Sequence, residues 1–120
     1  MAWKLDSDRP IYTQVVERLQ TQIASGEYAP GARLPSVRDL ATEAGINPNT
    51  MQRAFAELER KALVVTQRGS GRTVTEEAER IGAIRMELAA GQVRDFLERM
   101  AALGFEQAEI VALVEGGTND

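Results

Sequence analysis

The fold of this chain is decided by residues 36–58, which read SVRDLATEAGINPNTMQRAFAEL. Ser36 and Asp39 have the spacing of a capping box, and the apolar residues after them recur at helical intervals. Gly45 ends that helix, and Asn47-Pro48 supplies an N-cap and a favourable first residue for the next helix. Two short helices joined by a tight glycine-containing turn predict a helix-turn-helix motif.

A further helix is expected ahead of this motif. It begins near Pro10, because a first-turn proline gives up no intrahelical hydrogen bond, and an apolar stripe then repeats every fourth residue from Ile11 to Ile23. Ser25-Gly26 ends this helix, and Pro30-Gly31 predicts a type II turn.

A hairpin is predicted after the motif. Residues 63–66 and 72–74 are rich in β-branched side chains, and residues 67–71 form a glycine-rich tip between them. Arg68 and Arg72 flank the tip, with no acid beside them. A helix-turn-helix followed by a basic hairpin is the winged form of the motif. The fold class is therefore mainly α with a small β-hairpin: a winged helix-turn-helix domain followed by a short C-terminal helical dimerisation region.

The composition excludes several classes of protein. The 120 residues include no Cys and no His, which excludes disulfides, thiol nucleophiles, Cys/His metal sites and histidine-based triads. No phosphate-cradling glycine loop follows a strand either, so neither an enzyme nor a cofactor is expected. Because no apolar run is long enough to span a membrane and the N-terminus lacks a signal-peptide core, we expect a cytoplasmic protein without a membrane partner.

The net charge of −4 argues at first against a nucleic-acid partner, but the charge is unevenly distributed. Residues 1–75 contain ten basic and eight acidic side chains, whereas residues 76–120 contain four basic and ten acidic ones. This asymmetry predicts two units, a DNA-binding domain over residues 1–75 and a helical dimerisation region over residues 76–120. The excess carboxylates therefore belong mainly to the second unit.

The outer face of the second motif helix carries candidate DNA contacts. At about 100° per residue, Met51 and Phe55 fall in the core, whereas Asn49 and Arg53 face outward. Amides can pair with adenine, arginine can pair with guanine or bind phosphate, and a glycine-rich tip lets the backbone approach DNA. The candidate DNA-binding residues are Arg38, Asn47, Asn49, Thr50, Gln52, Arg53, Arg68, Gly69, Ser70 and Gly71.

The same features also fit a protein-interaction module without DNA affinity. Taken singly, Asn47-Pro48 is usually only a cap, Gly69-Ser70-Gly71 only a turn, and Arg53 only solvated charge. Winged helices also serve as protein-binding modules. The two functions separate on salt dependence, because DNA binding releases counterions and weakens steeply as salt rises.

The C-terminal part predicts a helix over residues 76–100 with a weak point at Gly91, and a short last helix after Gly104. So small a region cannot bury its apolar stripes alone, so they pack on the first domain, on a partner or on a second copy. We expect a homodimer, because two-fold symmetry places two recognition helices about one DNA turn apart on a pseudo-palindromic operator. The candidate dimerisation residues are Ile84, Leu88, Phe96, Leu97, Met100 and Leu103. Trp3 lies outside the core pattern and is expected to cap the first domain or to join the dimer contact.

Four runs of the sequence carry a resemblance to a known family: PIY at 10–12, GARLPSVRDLA at 31–41, NPNTMQRAFAELE at 47–59 and RGSG at 68–71. In this order they resemble the DNA-binding domain of GntR-family bacterial transcription regulators, over about residues 9–75. The NPNT run and the short C-terminal part resemble the YtrA-type subfamily.

The resemblance implies a dimeric bacterial repressor, often of its own operon and often of one that encodes a membrane transporter. Many relatives carry arginine at the positions of Pro48 and Gln52, so the base-edge chemistry is expected to differ here, and Pro48 itself cannot read a base. No residue points to a small-molecule effector. By similarity, DNA contacts fall on Arg38, Asn49, Thr50, Gln52, Arg53, Arg68, Gly69 and Ser70.

Overall fold

The computed structural model describes residues 2–69 and 71–117. Within these residues the chain forms five helices and a two-stranded antiparallel hairpin, so the predicted fold class is confirmed. In chain order the elements are α1 (Ile11–Ala24), α2 (Val37–Ala44), α3 (Pro48–Arg60), β1 (Val64–Gln67), β2 (Gly71–Val74), α4 (Ala78–Ala102) and α5 (Gln107–Gly117).

The ends of α2 and α3 are set by the residues that the sequence singles out. The Ser36 hydroxyl accepts a hydrogen bond from the Asp39 N–H at 3.0 Å, which forms the serine half of the predicted capping box. Gly45 closes α2 with φ of +74°, a left-handed conformation that favours glycine. Asn47 Oδ1 accepts a hydrogen bond from the Asn49 N–H at 2.7 Å and so caps α3.

The core lies where α1, α2 and α3 meet. The apolar face predicted for α3 is confirmed, since Met51, Ala54, Phe55 and Leu58 are all buried. The stripe predicted for α1 is buried except at its first residue, Ile11, which remains 37% exposed. The other large, fully buried side chains are Val15, Leu19, Ile23, Leu40, Leu63 and Val74.

The N-terminal arm packs on this core. Trp3 is only 8% exposed, and its backbone N–H donates to the Ala44 carbonyl at 3.1 Å. Its indole Nε1 donates to Glu43 Oε2 at 3.1 Å, and the Arg18 guanidinium lies 4.3 Å from the ring centroid. Of the two roles that the sequence leaves open for Trp3, capping the first domain is therefore the one seen in the single chain.

A buried glutamine in α1 also fastens the arm, which sequence pattern does not predict. The Gln14 side chain accepts a hydrogen bond from the Asp6 N–H and donates to the Asp6 carbonyl at 2.8 Å. It donates to the Arg9 carbonyl as well, at 3.0 Å. These bonds satisfy a buried amide with the backbone ahead of α1, so its burial costs little.

The hairpin has a third, very short neighbour. β1 pairs with β2 from Val64↔Val74 to Gln67↔Gly71, one residue later in β1 than the sequence predicts. On its other edge β2 forms an isolated bridge between Thr73 and Arg33, supported by a hydrogen bond from the Leu34 N–H to the Arg72 carbonyl at 2.8 Å. One bridge is too short to leave an alternating pattern in the sequence.

The chain divides into two compact units, Met1–Arg85 and Met86–Asp120. The boundary therefore falls ten residues after the one expected between residues 75 and 76, and α4 crosses it. The helix runs through Gly91 without a break, so this glycine does not end it. No helix in residues 2–69 and 71–117 is long and apolar enough to cross a membrane.

Candidate nucleic-acid interface

The outward face of α3 presents polar side chains that contain no carboxylate over its first two turns. Asn49, Gln52 and Arg53 are exposed, and Thr50 is half-buried. The side-chain amides of Asn49 and Gln52 have no hydrogen-bond partner among the residues that the structure describes, although the backbone N–H of Asn49 bonds Asn47. These side chains are therefore available to an external ligand. A helix that reads base edges needs such free side chains near its N-terminus.

Asn47 stands apart from the other candidates because its side chain has a structural role. Its Oδ1 accepts the capping hydrogen bond of α3, which leaves the two N–H groups of its side chain free to contact a DNA acceptor. The same bond orients the backbone of Asn49, the next candidate along the helix.

A groove of about 510 Å³ lies between the start of α2, α3 and the wing. It brings together Arg38 from α2, Gln52 from α3 and Gly71 from the wing, three candidates that are well separated in sequence. Arg33 and Arg72 line it as well, and neither is among the predicted contacts. Residues 33–72 contain seven basic and four acidic side chains, and this basic excess is the sequence signal that points to both arginines.

Arg72 flanks the tip as expected, but it is paired with an acid from another element. Its Nε bonds Glu59 Oε1 at 2.9 Å, and its guanidinium carbon lies 5.2 Å from the centroid of the Phe55 ring. The other oxygen of Glu59 accepts a hydrogen bond from the Thr66 hydroxyl. This bond, aided by Arg72, lowers the pKa of Glu59 below its ordinary value, although partial burial opposes the shift. Arg72 thus ties the wing to α3.

Arg53 also contacts a neighbouring helix. Its guanidinium carbon lies 3.9 Å from the centroid of the Tyr12 ring in α1. Glu57, one turn further along α3, has its pKa lowered chiefly by a hydrogen bond from Arg60. Tyr12 therefore contacts α3 through its ring, which the sequence does not predict.

The tip of the wing is exposed at Arg68 and Gly69, and Ser70 lies outside the described residues. Gly69 and Gly71 adopt φ of +79° and +78°, so the reversal of the chain requires glycine at both positions. Neither Gly69 nor Gly71 carries a side chain that would keep its backbone from approaching a ligand.

The candidate dimerisation residues differ in how much surface they offer. Ile84 is 5% exposed within the single chain, so it offers almost no area to a second copy. Leu103 is 73% exposed, and the rest are half-buried, namely Leu88, Phe96, Leu97 and Met100. Further large apolar side chains that are exposed in the second unit are Met86, Val93, Val111, Leu113 and Val114.

A capped recognition helix, a groove lined by arginines and a glycine-tipped wing define a winged helix-turn-helix protein. The family model described as bacterial regulatory proteins, gntR family, matches residues 11–74. The chain belongs to this family, and it is a DNA-binding transcription regulator and not an enzyme.

Individual relatives extend the match beyond the winged helix. An uncharacterized HTH-type transcriptional regulator of Bacillus subtilis, YhcF, is 34% identical over 118 residues, which cover 95% of this chain and 98% of YhcF. The HTH-type transcriptional repressor YtrA of the same organism is 43% identical over 72 residues, covering 60% of this chain and 55% of YtrA. A GntR family transcriptional regulator from Listeria monocytogenes has a TM-score of 0.85 and 39% identity, covering 93% of this chain and 98% of that one.

Proposed function

We propose that this protein is a homodimeric repressor that binds a pseudo-palindromic operator in the bacterial cytoplasm. The observation that carries the proposal is the groove in which Arg38, Gln52 and Gly71 meet beside an acid-free stretch of α3. The repressor role is supported by the name of the relative YtrA. The proposed target is the protein's own operon, with a membrane transporter among its products.

The candidate residues divide by chemistry. Asn49 and Gln52 are assigned to base edges, because their amides are exposed and can pair with adenine. Phosphate and sugar contacts are assigned to the remaining members, which carry cations, a hydroxyl, an amide nitrogen or an open backbone. These are Arg38, Asn47, Thr50, Arg68, Gly69, Ser70 and Gly71, whereas Arg53 can either pair with guanine or bind phosphate.

The second unit supports the homodimer. Met86, Val93 and Leu103 are each more than half exposed in the single chain. Together with the apolar side chains of α5 they form more apolar surface than a helical segment of this size leaves in water without a partner. A second copy of the same surface covers it, as in an isologous two-fold interface.

The test is a titration of the full chain against labelled duplexes selected from a random DNA pool. Binding is expected to weaken steeply between about 50 and 200 mM salt, because each phosphate contact releases counterions. Arg68→Ala is expected to weaken binding. Arg80→Ala serves as the matched control, because Arg80 is exposed on α4 and paired with Glu77 at 3.1 Å.

Two outcomes contradict the proposal. If the wild type binds no duplex from the pool, the winged helix acts as a protein-interaction module instead. If Arg68→Ala binds as tightly as the Arg80→Ala control, the wing is not part of the interface.

A further inference from the structure

Arg53 is the outward-facing arginine whose role the pattern of α3 leaves open between a guanine and a phosphate. By helical geometry Asn49 and Arg53 lie about 40° apart on the outer face, so both point toward a duplex in front of α3. The structure distinguishes them. The Asn49 amide has no partner among the described residues, whereas the Arg53 guanidinium lies 3.9 Å from the centre of the Tyr12 ring.

We propose that Tyr12 holds Arg53 on the α1 side of the recognition helix as a phosphate-contacting residue, and that base reading belongs to Asn49 and Gln52. The inference rests on the proposed function, because it assumes that α3 enters the major groove. It assigns different tasks to two adjacent residues of α3, Gln52 and Arg53.

The geometry of a helix in the major groove gives the physical reason. The face of the helix that enters the major groove approaches base edges, whereas a side chain drawn off that face toward a neighbouring element approaches the sugar-phosphate backbone. Gln52 lines the protein groove between α2, α3 and the wing, whereas the Arg53 guanidinium is drawn toward Tyr12 of α1. To pair with guanine, Arg53 must leave the Tyr12 ring, whereas a phosphate beside α1 can be bound without giving up that contact.

The chemistry of the pair is compatible with a phosphate contact. A guanidinium that contacts a ring through its face keeps its in-plane N–H groups for hydrogen bonds to an anion. Tyr12 is half-buried in α1, and its ring lies against the Arg53 guanidinium of α3. Tyr12 is thus a positioning residue for Arg53.

The experiment compares variants of the full chain on duplexes selected by the wild type and on versions with single base-pair changes. Arg53→Ala is expected to weaken binding by a similar factor on every duplex. It is also expected to reduce the slope of log K against log salt by about 0.9, the value of one phosphate contact. Gln52→Ala is expected instead to relax discrimination at particular base pairs and to leave the slope unchanged.

The positioning role is tested with substitutions at Tyr12. Tyr12→Leu is expected to lower the salt slope in the same direction as Arg53→Ala, and Tyr12→Phe is expected to retain the wild-type slope because the ring remains. Tyr28→Leu is the matched control, because Tyr28 is the other tyrosine of the chain and is likewise half-buried. Thermal melts and the emission of the single tryptophan, Trp3, verify that each variant is folded.

Two results would overturn the inference while the proposed function stands. The first is an Arg53→Ala variant that keeps the wild-type salt slope but changes its preference at one base pair of the duplex. That is the behaviour of a residue that reads a base. The second is a folded Tyr12→Leu variant with the wild-type slope and affinity, which would separate Tyr12 from Arg53. A wild type that binds no DNA would instead overturn both proposals.

Discussion

Single residues at helix ends set the geometry of the recognition helix. Gly45 closes α2 in a left-handed conformation, and Asn47, two residues later, caps α3 through its side chain. Only Ile46 separates them, so the direction in which α3 leaves the turn depends on two residues with special backbone or side-chain chemistry. The first two turns of α3 carry the proposed base contacts, Asn49 and Gln52, so the placement of these side chains depends on the cap.

We expect Asn47→Ala to lower the free energy of unfolding by about 1 kcal/mol, because the alanine cannot accept the hydrogen bond from the Asn49 N–H. Asn47→Ser is the matched variant, since serine caps helices nearly as well but lacks the amide nitrogen. Urea denaturation measures both. If Asn47→Ala unfolds at the wild-type urea concentration, the side chain does not stabilise α3. A DNA affinity that drops in Asn47→Ser without loss of stability would show a direct contact by the amide.

At the scale of elements, the wing is bonded to the recognition helix by charged side chains. Glu59 at the end of α3 accepts hydrogen bonds from Thr66 of β1 and Arg72 of β2. Arg72 also lies near the Phe55 ring, so charge and apolar contact act at one place. The wing and α3 are therefore held together, and the candidate DNA contacts on both belong to one surface.

This link predicts an acid-dependent contribution to stability. Because the pKa of Glu59 is lowered in the folded chain, its ionised form stabilises the fold above the unfolded value of about 4.3. The contribution is lost as the pH falls through the lowered folded pKa. We expect Glu59→Gln to lower the thermal midpoint at pH 7 and to match the wild type more closely near pH 3.

Circular dichroism melts between pH 3 and pH 7 measure this difference. Glu98→Gln is the control, because Glu98 is an exposed carboxylate in the second unit, and it is expected to melt with the wild-type pH dependence. A constant gap between Glu59→Gln and the wild type over the whole range would contradict the role of the ionised carboxylate.

At the scale of the whole molecule, the two units differ in what they bury. The first unit contains the fully buried core residues of α1, α2 and α3. In the described part of the second unit, Ile110 is the one buried large apolar side chain, whereas Val93 is 54% exposed. Two helices cannot enclose a core of their own, so the proposed second copy supplies the missing side.

Val93→Glu is expected to convert the dimer to a monomer, because the substitution places a carboxylate in the proposed interface but on an exposed site of the single chain. Light scattering at tens of micromolar is expected to give twice 13.1 kDa for the wild type and 13.1 kDa for the variant. Arg94→Glu is the control, since Arg94 is exposed and points about 100° away around α4. A wild type of monomeric mass would contradict the homodimer.

Features that depend on neighbours in the chain are predicted well. The Ser36 and Asn47 caps, the glycine end of α2 and the buried face of α3 all follow from spacing and side-chain type. The wing follows as well, because β-branched strands around a glycine tip are a local signal. Since the candidate DNA contacts sit on these elements, most of the proposed interface is visible in the sequence.

The sequence by itself therefore determined the helices, their caps, the hairpin and the residues that face away from the core, because backbone preference and apolar periodicity act over a few residues. Only the tertiary structure decided which side chains meet across elements: Arg53 with Tyr12, Arg72 with Glu59, and Trp3 with Glu43. It also decided that Ile84 is buried within its own chain. These pairs are separated by 13 to 41 residues, and no local preference encodes where such distant side chains come together.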